Sequence, residues 1–371
     1  MSGNGIAETS RTPCHKRAKL FVRGERPPCW FGLLILTISI IWFGTPLPIA
    51  LADEVPPPAE YHAGGPFPTR DYNPVRLLFL SLPAENAAIL APGGYQIRLE
   101  LAESSTSKSQ MTSQADATLK FETFRAALDL KYGLPHDVEL GIEIPLLYRG
   151  SGFLDPFIQS VEEAFSHLSP DRLKFKPDSF GGYLITRHGT DIISGGDRQV
   201  GIGDIVLNGK IALLEEGEYF PAVAARMAVK LPTGNFALAF GSGKPDVGIG
   251  VAAQKSLGSR WRLYFNQNIV EPIGKFGDSD LTLKPIFSTA IIGEFLWKPR
   301  FSIVGQFDGY TTPFHGAGVP ILDKGTTELV LGFNYHIRPH ALWQLFVIEN
   351  LNWPEGGSAD FTLATDVAFR Y

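Results

Sequence analysis

Charged side chains alternate with apolar ones along much of this chain, and their type and spacing make them the first candidates for a functional site. The eleven most regularly placed are Arg98, Glu100, Arg125, Glu139, Glu143, Arg226, Lys230, Arg262, Glu294, Asp366 and Arg370. On a β-strand this period of two places them together on one polar face. Charges of both signs on such faces either pair into a network of salt bridges or line a narrow polar channel. The pattern predicts a charged interior and leaves both arrangements open.

Catalytic and metal chemistry have weaker support in the sequence. A base and a nucleophile two residues apart on one strand could form a hydrolytic site, but His167 and Ser169 follow a predicted helix instead. His336 is predicted to be a hydrogen-bonded interior residue, because a lone histidine lacks the ligand set of a metal site. Gly243 and Lys244 resemble a phosphate loop whose first glycine is missing. The sequence therefore predicts no catalytic residue, no metal site and no cofactor.

The first 52 residues have the order of charge and hydropathy that a secretory signal peptide requires. Basic residues between His15 and Arg26 precede an apolar run from Trp30 to Phe43, and Ala50 and Ala52 form a small-x-small site before Asp53. This order predicts a signal peptide over residues 1–52. An uncleaved anchor is the alternative, although the run is shorter than the ~20 residues that a spanning helix needs.

Composition narrows the classes that remain for the exported chain. The full chain has a net charge of −5, and no basic stripe is present, which argues against nucleic-acid binding. Cys14 and Cys29 both precede the predicted cleavage site, which excludes a disulfide or a thiolate site downstream. No later apolar run is long enough for a transmembrane helix. If the exported chain is integral to a membrane, it must therefore be a closed barrel.

Twelve segments from Tyr95 onward alternate between apolar and polar residues, most clearly the last one, residues 361–371. Short and long connections alternate between these segments, as they do in up-and-down outer-membrane barrels, and the first long connection is predicted from Ser104 to Ala117. A soluble sandwich could contain one such strand but has no reason to alternate its connections. The sequence therefore predicts an all-β fold, a transmembrane up-and-down antiparallel β-barrel of about twelve strands over residues 95–371.

A barrel of this kind has further consequences for location and partners. The charged residues named above would line the lumen, and the apolar faces would contact outer-membrane lipid. An even number of strands places both termini in the periplasm of a Gram-negative-type envelope. Phe369 and Tyr371 resemble the assembly signal that barrel-assembly machinery recognises. The last strand would close the barrel on the Tyr95 strand, with Asp366 and Arg370 inside.

Two segments lie outside the alternating pattern. Residues 53–94 form a Pro/Gly-rich lead-in whose apolar run, Leu77 to Leu82, could be a buried strand, an interior plug or a periplasmic contact. The long connection over residues 149–200 is predicted to be extracellular. It carries apolar residues at helical spacing after Asp155, a candidate N-cap, and Pro156. A short hairpin is predicted from Gly181 to Ser194.

Several phrases of the chain resemble one bacterial family. They are GGPFPTRDYNPVRLLFLSLPAENAAIL from Gly64, LLYRGSGFLDPFIQSVEEAF from Leu146, GIGD from Gly201, KLPTG from Lys230 and GSGKPDVGIG from Gly241. By these phrases the chain is identified as a member of the domain-of-unknown-function family three-one-eight-seven, over nearly all of the exported part. The resemblance implies an outer-membrane β-barrel and brings no catalytic residue with it.

The function that the sequence favours is a narrow channel or transport protein for small solutes, and not an enzyme. One alternative is a non-transporting structural or surface barrel that uses the 149–200 connection as a contact surface. The other is a barrel-embedded lipid-modifying enzyme, which would need a His/Ser pair on a strand. Conductance in planar bilayers separates the first hypothesis from the other two.

Overall fold

The computed structural model describes residues 62–165, 170–277, 279, 281–352 and 357–371. The predicted signal peptide, the first part of the lead-in, and His167 with Ser169 lie outside these residues. Twelve long strands run through the described chain: β1 Tyr95–Met111, β2 Ala115–Leu134, β3 Val138–Gly150, β4 Ile205–Leu214, β5 Ala222–Leu231, β6 Asp246–Leu257, β7 Trp261–Pro272, β8 Ile286–Lys298, β9 Phe301–Tyr310, β10 Thr326–Arg338, β11 Ala341–Asn350 and β12 Phe361–Arg370.

The connections contain short elements only. Two helices, three single 3₁₀ turns and five short strands lie between or before the long strands. The helices are α1 (Asp155–Phe165) and α2 (Pro320–Asp323), and the 3₁₀ turns are Arg76–Leu78, Arg172–Lys174 and Phe236–Leu238. The short strands are Gly182–Arg187, Thr190–Gly195, Gln199–Ile202, Thr282–Leu283 and Phe314–His315. None of the helices in the described chain is long and apolar enough to cross a membrane.

The twelve strands form a closed antiparallel barrel, which confirms the predicted fold. Each strand pairs with its neighbour in sequence, and β12 pairs with β1 from Gln96↔Arg370 to Ser105↔Phe361. At this seam the backbone N–H of Tyr95 donates to Tyr371 O at 2.8 Å, and that of Tyr371 donates to Tyr95 O at 2.9 Å. Closure leaves no strand edge unpaired, as a barrel in lipid requires.

Side chains alternate between an apolar outer surface and a polar interior. In β8, Ile291 and Trp297 are 57% and 53% exposed, whereas Glu294 is 0% exposed. Carboxylates buried inside and large apolar groups exposed outside are the reverse of a soluble protein, and they match a barrel whose outer band faces lipid.

The prediction of a long loop from Ser104 to Ala117 is wrong. Strands β1 and β2 continue to Met111 and from Ala115, and residues 112–114 alone form the turn. The second half of β1 can be polar because loops, and not lipid, cover it. Lys108, for example, is 1% exposed and lies 2.9 Å from Asp360. The predicted hairpin extends this sheet, because Gly182–Arg187 pairs with residues 115–120 of β2.

The long connections pack together at one end of the barrel, which we call the long-loop end. Their apolar side chains form a cluster with the end of β2. Its members include Phe79, Leu119, Phe121, Tyr183, Phe276, Phe314, Ile321 and Leu322. Burial of such side chains contributes roughly 1.5–3 kcal/mol each. The cluster orders loops that would otherwise be mobile, and it covers the mouth of the barrel.

The lead-in passes through the interior of the barrel, and we call its described part, residues 62–94, the plug. It starts at the opposite, short-turn end, where His62 N donates to Pro299 O at 3.1 Å. Its 3₁₀ turn, Arg76–Leu78, reaches the loop cluster through Leu78 and Phe79. It then returns to the short-turn end, where Gly93 N donates to Gly133 O at 2.9 Å.

Gly64 shows how closely the plug approaches the barrel wall. Its N–H donates to Glu294 Oε1 at 2.8 Å. A Cβ at this position would lie 2.4 Å from Cγ of Asn334. Any larger residue would therefore push the chain away from the carboxylate that holds it.

Candidate functional site

The ascending limb of the plug, residues 62–75, is held by polar side chains of β8 to β10. Gly65 N donates to Glu294 Oε2 at 3.2 Å, and the Thr69 hydroxyl donates to Asp308 Oδ2 at 2.6 Å. Phe67 is fully buried, and its ring stacks on Phe346 of β11 at 4.5 Å between centroids. The limb therefore replaces the water that would otherwise solvate these buried acidic groups.

An ion-pair cluster around Arg70 ties this limb to the other side of the barrel. The Arg70 guanidinium lies 3.2 Å from Glu100 and 3.0 Å from Glu143. Arg125 pairs with the same two carboxylates, and the Tyr72 hydroxyl donates to Glu100 at 3.1 Å. These four charged side chains are at most 10% exposed. Two guanidinium groups and two carboxylates thus form a buried network with no net charge.

At the tip of the plug, the Asn73 side chain organises the turn. Its Oδ1 accepts from Val75 N at 2.8 Å and from Arg76 N at 3.2 Å, while its amide nitrogen donates to Gly357 O. Arg76 in turn lies 2.7 Å from Asp71. Asn73 therefore both shapes the turn and attaches it to the connection before β12.

Replacing Asn73 with Ala is expected to loosen the tip without unfolding the barrel. Two buried N–H groups would lose their acceptor, at a cost of about 1–3 kcal/mol each. Faster hydrogen exchange confined to residues 71–79 would confirm this effect. The matched substitution Asn86→Ala, on the returning limb, should leave exchange at the tip unchanged. Equal protection in the Asn73 variant and the wild type would contradict the assignment.

The returning limb, residues 80–94, is held by side chains of β3 to β7. Leu80 N donates to Asp246 Oδ2 at 2.8 Å, and the Asn268 amide donates to Leu82 O at 3.2 Å. Further down, Leu90 N donates to Glu139 Oε2 at 3.1 Å. The polar groups of the plug backbone are thus bonded by wall side chains, as buried backbone requires.

A second charged cluster surrounds Glu85 on this limb. Its carboxylate lies 2.6 Å from Lys131, 3.2 Å from Lys210 and 2.7 Å from Arg226. Glu139 is 3.3 Å from Lys131 and 3.4 Å from Lys210. Burial alone would raise the pKa of Glu85, but the three cations outweigh it and hold the pKa well below its usual range. Glu85 is therefore an anion bound by three cations of the wall.

The predicted interior residues lie mainly in these clusters. Glu100, Arg125 and Glu143 meet at Arg70, Glu139 and Arg226 meet at Glu85, and Glu294 binds the start of the plug. Lys230 lies 3.0 Å from Asp204 and 2.9 Å from Asp246. Five of the eleven predicted residues thus lie in the two clusters, whereas Lys131 and Lys210 of the Glu85 cluster are not among the eleven.

The remaining predicted residues make their closest polar contacts with groups other than Arg70 and Glu85. Arg98 is 3.7 Å from Asp366, and Arg370 Nε donates to Gln96 at 2.7 Å. Arg262 donates to the carbonyl groups of Gly258 and Trp261 beside a short turn. On the outside, Tyr371 is 60% exposed and stacks on Tyr95, while Phe369 shares its strand face.

Sequence reasoning missed the plug side of each cluster, above all Arg70 and Glu85. One signal was present in β11, where Phe346 and Ile348 make the inward face apolar as well. Both side chains are buried, at 1% and 3% exposed, in the cluster that includes Phe67. A strand that is apolar on both faces needs an apolar partner inside the barrel.

Within the described chain, one group of acidic residues is close enough together to be considered as a metal site. Oxygens of Glu122, Asp155 and Asp178 lie within 4.8 Å of one another. Lys120 and Arg172 both bind Asp155, however, and their positive charges already compensate it. The group is therefore better described as part of a salt-bridge network than as a metal site.

Fold and interior together define a class: a twelve-stranded antiparallel barrel with an apolar outer face and a polar interior occupied by its own N-terminal segment. The chain belongs to the family described as "Protein of unknown function (DUF3187)", which matches residues 55–371. No curated protein sequence matches the chain significantly.

Solved structures with a similar fold are outer-membrane channels and porins. The outer membrane channel from Pseudomonas putida F1 has a TM-score of 0.53 and 15% identity, over 78% of this chain and 100% of that chain. The NanC porin has a TM-score of 0.44 and 9% identity, over 74% and 98%. The KdgM porin has a TM-score of 0.39 and 5% identity, over 74% and 98%. At 15% identity the likeness to the first of these structures concerns the fold alone.

Proposed function

We propose that this protein is an outer-membrane channel for small solutes that its plug holds closed. The observation that carries the proposal is how the plug is attached. Wall side chains bind it through hydrogen bonds and salt bridges, and it adds no strand to the barrel sheet. Water and solute can replace such contacts, so the plug can leave while the barrel stays closed on itself.

The interior that a displaced plug would leave is suited to conduction. Twelve strands make a barrel between the filled eight-stranded type and the open sixteen-stranded porins. Charges of both signs would then line a narrow aqueous passage. Even with the plug in place, cavities of about 60 and 70 Å³ remain between the plug and the wall.

The proposal includes a location and an assembly route. The signal peptide directs export, and the apolar outer band, with residues such as Ile249 and Leu331 at 62% and 51% exposed, contacts outer-membrane lipid. Phe369 and Tyr371 engage the barrel-assembly machinery. Both termini and the short turns face the periplasm, and the 149–200 connection faces outward. No catalytic step is assigned.

Planar-bilayer recordings test the proposal directly. The full chain and a variant lacking residues 64–88 are folded in detergent, and heat-modifiable migration on gels verifies the barrel in both. We expect the full chain to open rarely and the shortened chain to conduct in steady steps, because the polar interior is then free. Silent bilayers with a correctly folded shortened chain would overturn the channel.

The second candidate is a structural barrel that transports nothing. The observation in its favour is that buried salt bridges fix both limbs of the plug, one through Arg70 and the other through Glu85. For this candidate, loss of the plug should lower the unfolding temperature and leave the bilayer current at baseline. The two candidates thus predict opposite results for the same shortened chain.

A further inference from the structure

The Glu85 cluster has the chemistry of a carboxylate bound in a basic pocket. Both Glu85 oxygens are used: Oε2 contacts Lys131 and Lys210, and Oε1 contacts Arg226. Charge-assisted contacts of this kind are the strongest polar contacts that a carboxylate makes. The three cations belong to β2, β4 and β5, and the carboxylate belongs to the plug.

Departure of the plug would leave this pocket with an excess of positive charge. The wall supplies two acids here, since Glu139 pairs with Lys131 and Lys210 and Asp129 interacts electrostatically with Lys131. These two carboxylates would then face the three cations Lys131, Lys210 and Arg226. Buried charges without partners are costly. The vacated pocket therefore favours an incoming anion.

The Arg70 cluster does not offer the opposite site for a cation to the same degree. When Arg70 leaves, Glu100 and Glu143 keep Arg125, which contacts both carboxylates. That pocket loses one cation of two, whereas the Glu85 pocket loses its central acid. The electrostatic preference of the open interior at this level is therefore for anions.

A cavity of about 70 Å³ adjoins the Glu85 pocket on the side of the short turns, and it is bounded by Arg98, Lys131, Lys210 and Arg370 together with Glu85 and Glu139. A water molecule needs roughly 10–15 Å³ by this kind of measure, so several fit. Four of the six ionisable groups at this cavity are cations. A small anion can therefore approach the pocket before the plug has left.

We propose that the pocket formed by Lys131, Lys210 and Arg226 is a binding site for small carboxylate solutes, and that Glu85 occupies it as an internal competitor in the closed state. This inference rests on the proposed channel function and specifies its solute class. A carboxylate that reaches the pocket takes the contacts of Glu85 and frees the returning limb. Solute binding and opening are then the same event, in which the solute carboxylate replaces the Glu85 carboxylate on the three cations.

Calorimetric titration with succinate tests the site without reference to conduction. The full chain and its Glu85→Gln variant are compared, with uncharged succinamide as the control solute. We expect Glu85→Gln to bind succinate about tenfold more tightly than the wild type, because one competing ion pair worth ~1.4 kcal/mol is removed. Glu85→Asp keeps the competing charge and should gain less affinity than Glu85→Gln does.

Substitution of the cations completes the test. Adding Lys131→Gln and Lys210→Gln to the Glu85→Gln variant should abolish the gain in succinate affinity. If Glu85→Gln gains nothing, or binds succinate and succinamide equally, the carboxylate site is overturned. Full affinity in the triple variant would overturn the assignment to these lysines. Heat-modifiable migration verifies the fold of each variant.

Reversal potentials connect the site to the passage. In a KCl gradient across the bilayer, we expect Glu85→Gln to be anion-selective and the triple variant to lose that selectivity. Cation-selective steps would overturn the inference while leaving the channel intact. Succinate binding combined with silent bilayers, in the shortened chain as well, would overturn the channel and leave the carboxylate site.

Discussion

Replacing Arg70 with Glu is expected to displace the plug and open the barrel. The new side chain would bring a third carboxylate to Glu100 and Glu143, with Arg125 as the one remaining cation of the four-membered network. Each of these groups is almost fully buried, so solvent does little to screen the repulsion. The barrel itself does not depend on Arg70, because its twelve strands pair with one another.

The size of this effect follows from the burial of the network. Loss of one partner from a buried ion pair costs about 3–5 kcal/mol. If the closed state alone bears that cost, the open fraction rises by about a hundredfold or more. Planar-bilayer recordings of the folded variant should therefore show frequent steps where the wild type shows rare ones.

Two further variants separate charge from disturbance of packing. Arg70→Lys keeps the positive charge and should stay mostly closed. The charge exchange Arg70→Glu with Glu143→Arg restores two cations and two carboxylates in the same volume, so it should close the barrel again. Frequent openings in all three variants would show that packing, not charge, holds the limb. No increase for Arg70→Glu would refute the role assigned to this network.

The barrel could be predicted from the sequence because its constraints are local. Every strand must present apolar side chains to lipid at each second position, so residues such as Ile291 and Trp297 reveal their orientation through spacing alone. The polar partners between them, such as Glu294, are assigned to the interior by the same count. The number of strands and the polar inner face of the barrel follow from this period.

The plug could not be placed by the same means. Its residues have no period, because the segment is neither helix nor strand over most of its length. Arg70 meets Glu143, and Glu85 meets Arg226, across separations that only the closed barrel brings together. Side-chain identity alone gives no sign of which of the many wall charges each one joins. The inward Phe346 was the one local trace, through its contact with Phe67.

The polar top of β1 shows another limit of periodicity. Ser104, Ser105, Ser107 and Lys108 read as a loop because they lack apolar neighbours. They continue the strand because loops, not lipid, cover them: Asp360, for example, pairs with Lys108 and accepts a hydrogen bond from Ser107 N. Strand length beyond the apolar band depends on tertiary contacts that the sequence pattern does not contain.

The second large effect is expected for Asp155, the residue predicted to cap helix α1. It is 0% exposed, and Lys120 and Arg172 both bind its carboxylate, the latter at 2.6 Å. Asp178 N donates to it at 2.8 Å, and Arg172 also reaches Asp360 at 3.0 Å. One carboxylate thus fastens the long connection to β2 and, through Arg172, to the connection before β12.

Asp155→Ala should detach this connection from the barrel. It leaves two cations buried beside an empty position, at a cost of about 3–5 kcal/mol. Limited trypsin digestion of the folded protein should then cut at Arg172, Lys174 or Lys176 much faster than in the wild type. Asp191→Ala, which removes an exposed carboxylate from the same connection, should be cut at the wild-type rate. Unchanged digestion of the Asp155 variant would show that the apolar cluster alone orders the connection.

The same variant distinguishes the two layers that cover the passage. The plug is fixed at Arg70 and Glu85 by groups of the barrel wall, and neither centre includes a residue of the 149–200 connection. Asp155→Ala should therefore expose the trypsin sites while the bilayer current stays at the wild-type level. A simultaneous rise in current would mean that the connection presses the plug into place. If trypsin cuts the variant rapidly and the current stays at the wild-type level, the plug's own salt bridges are what keep the barrel closed.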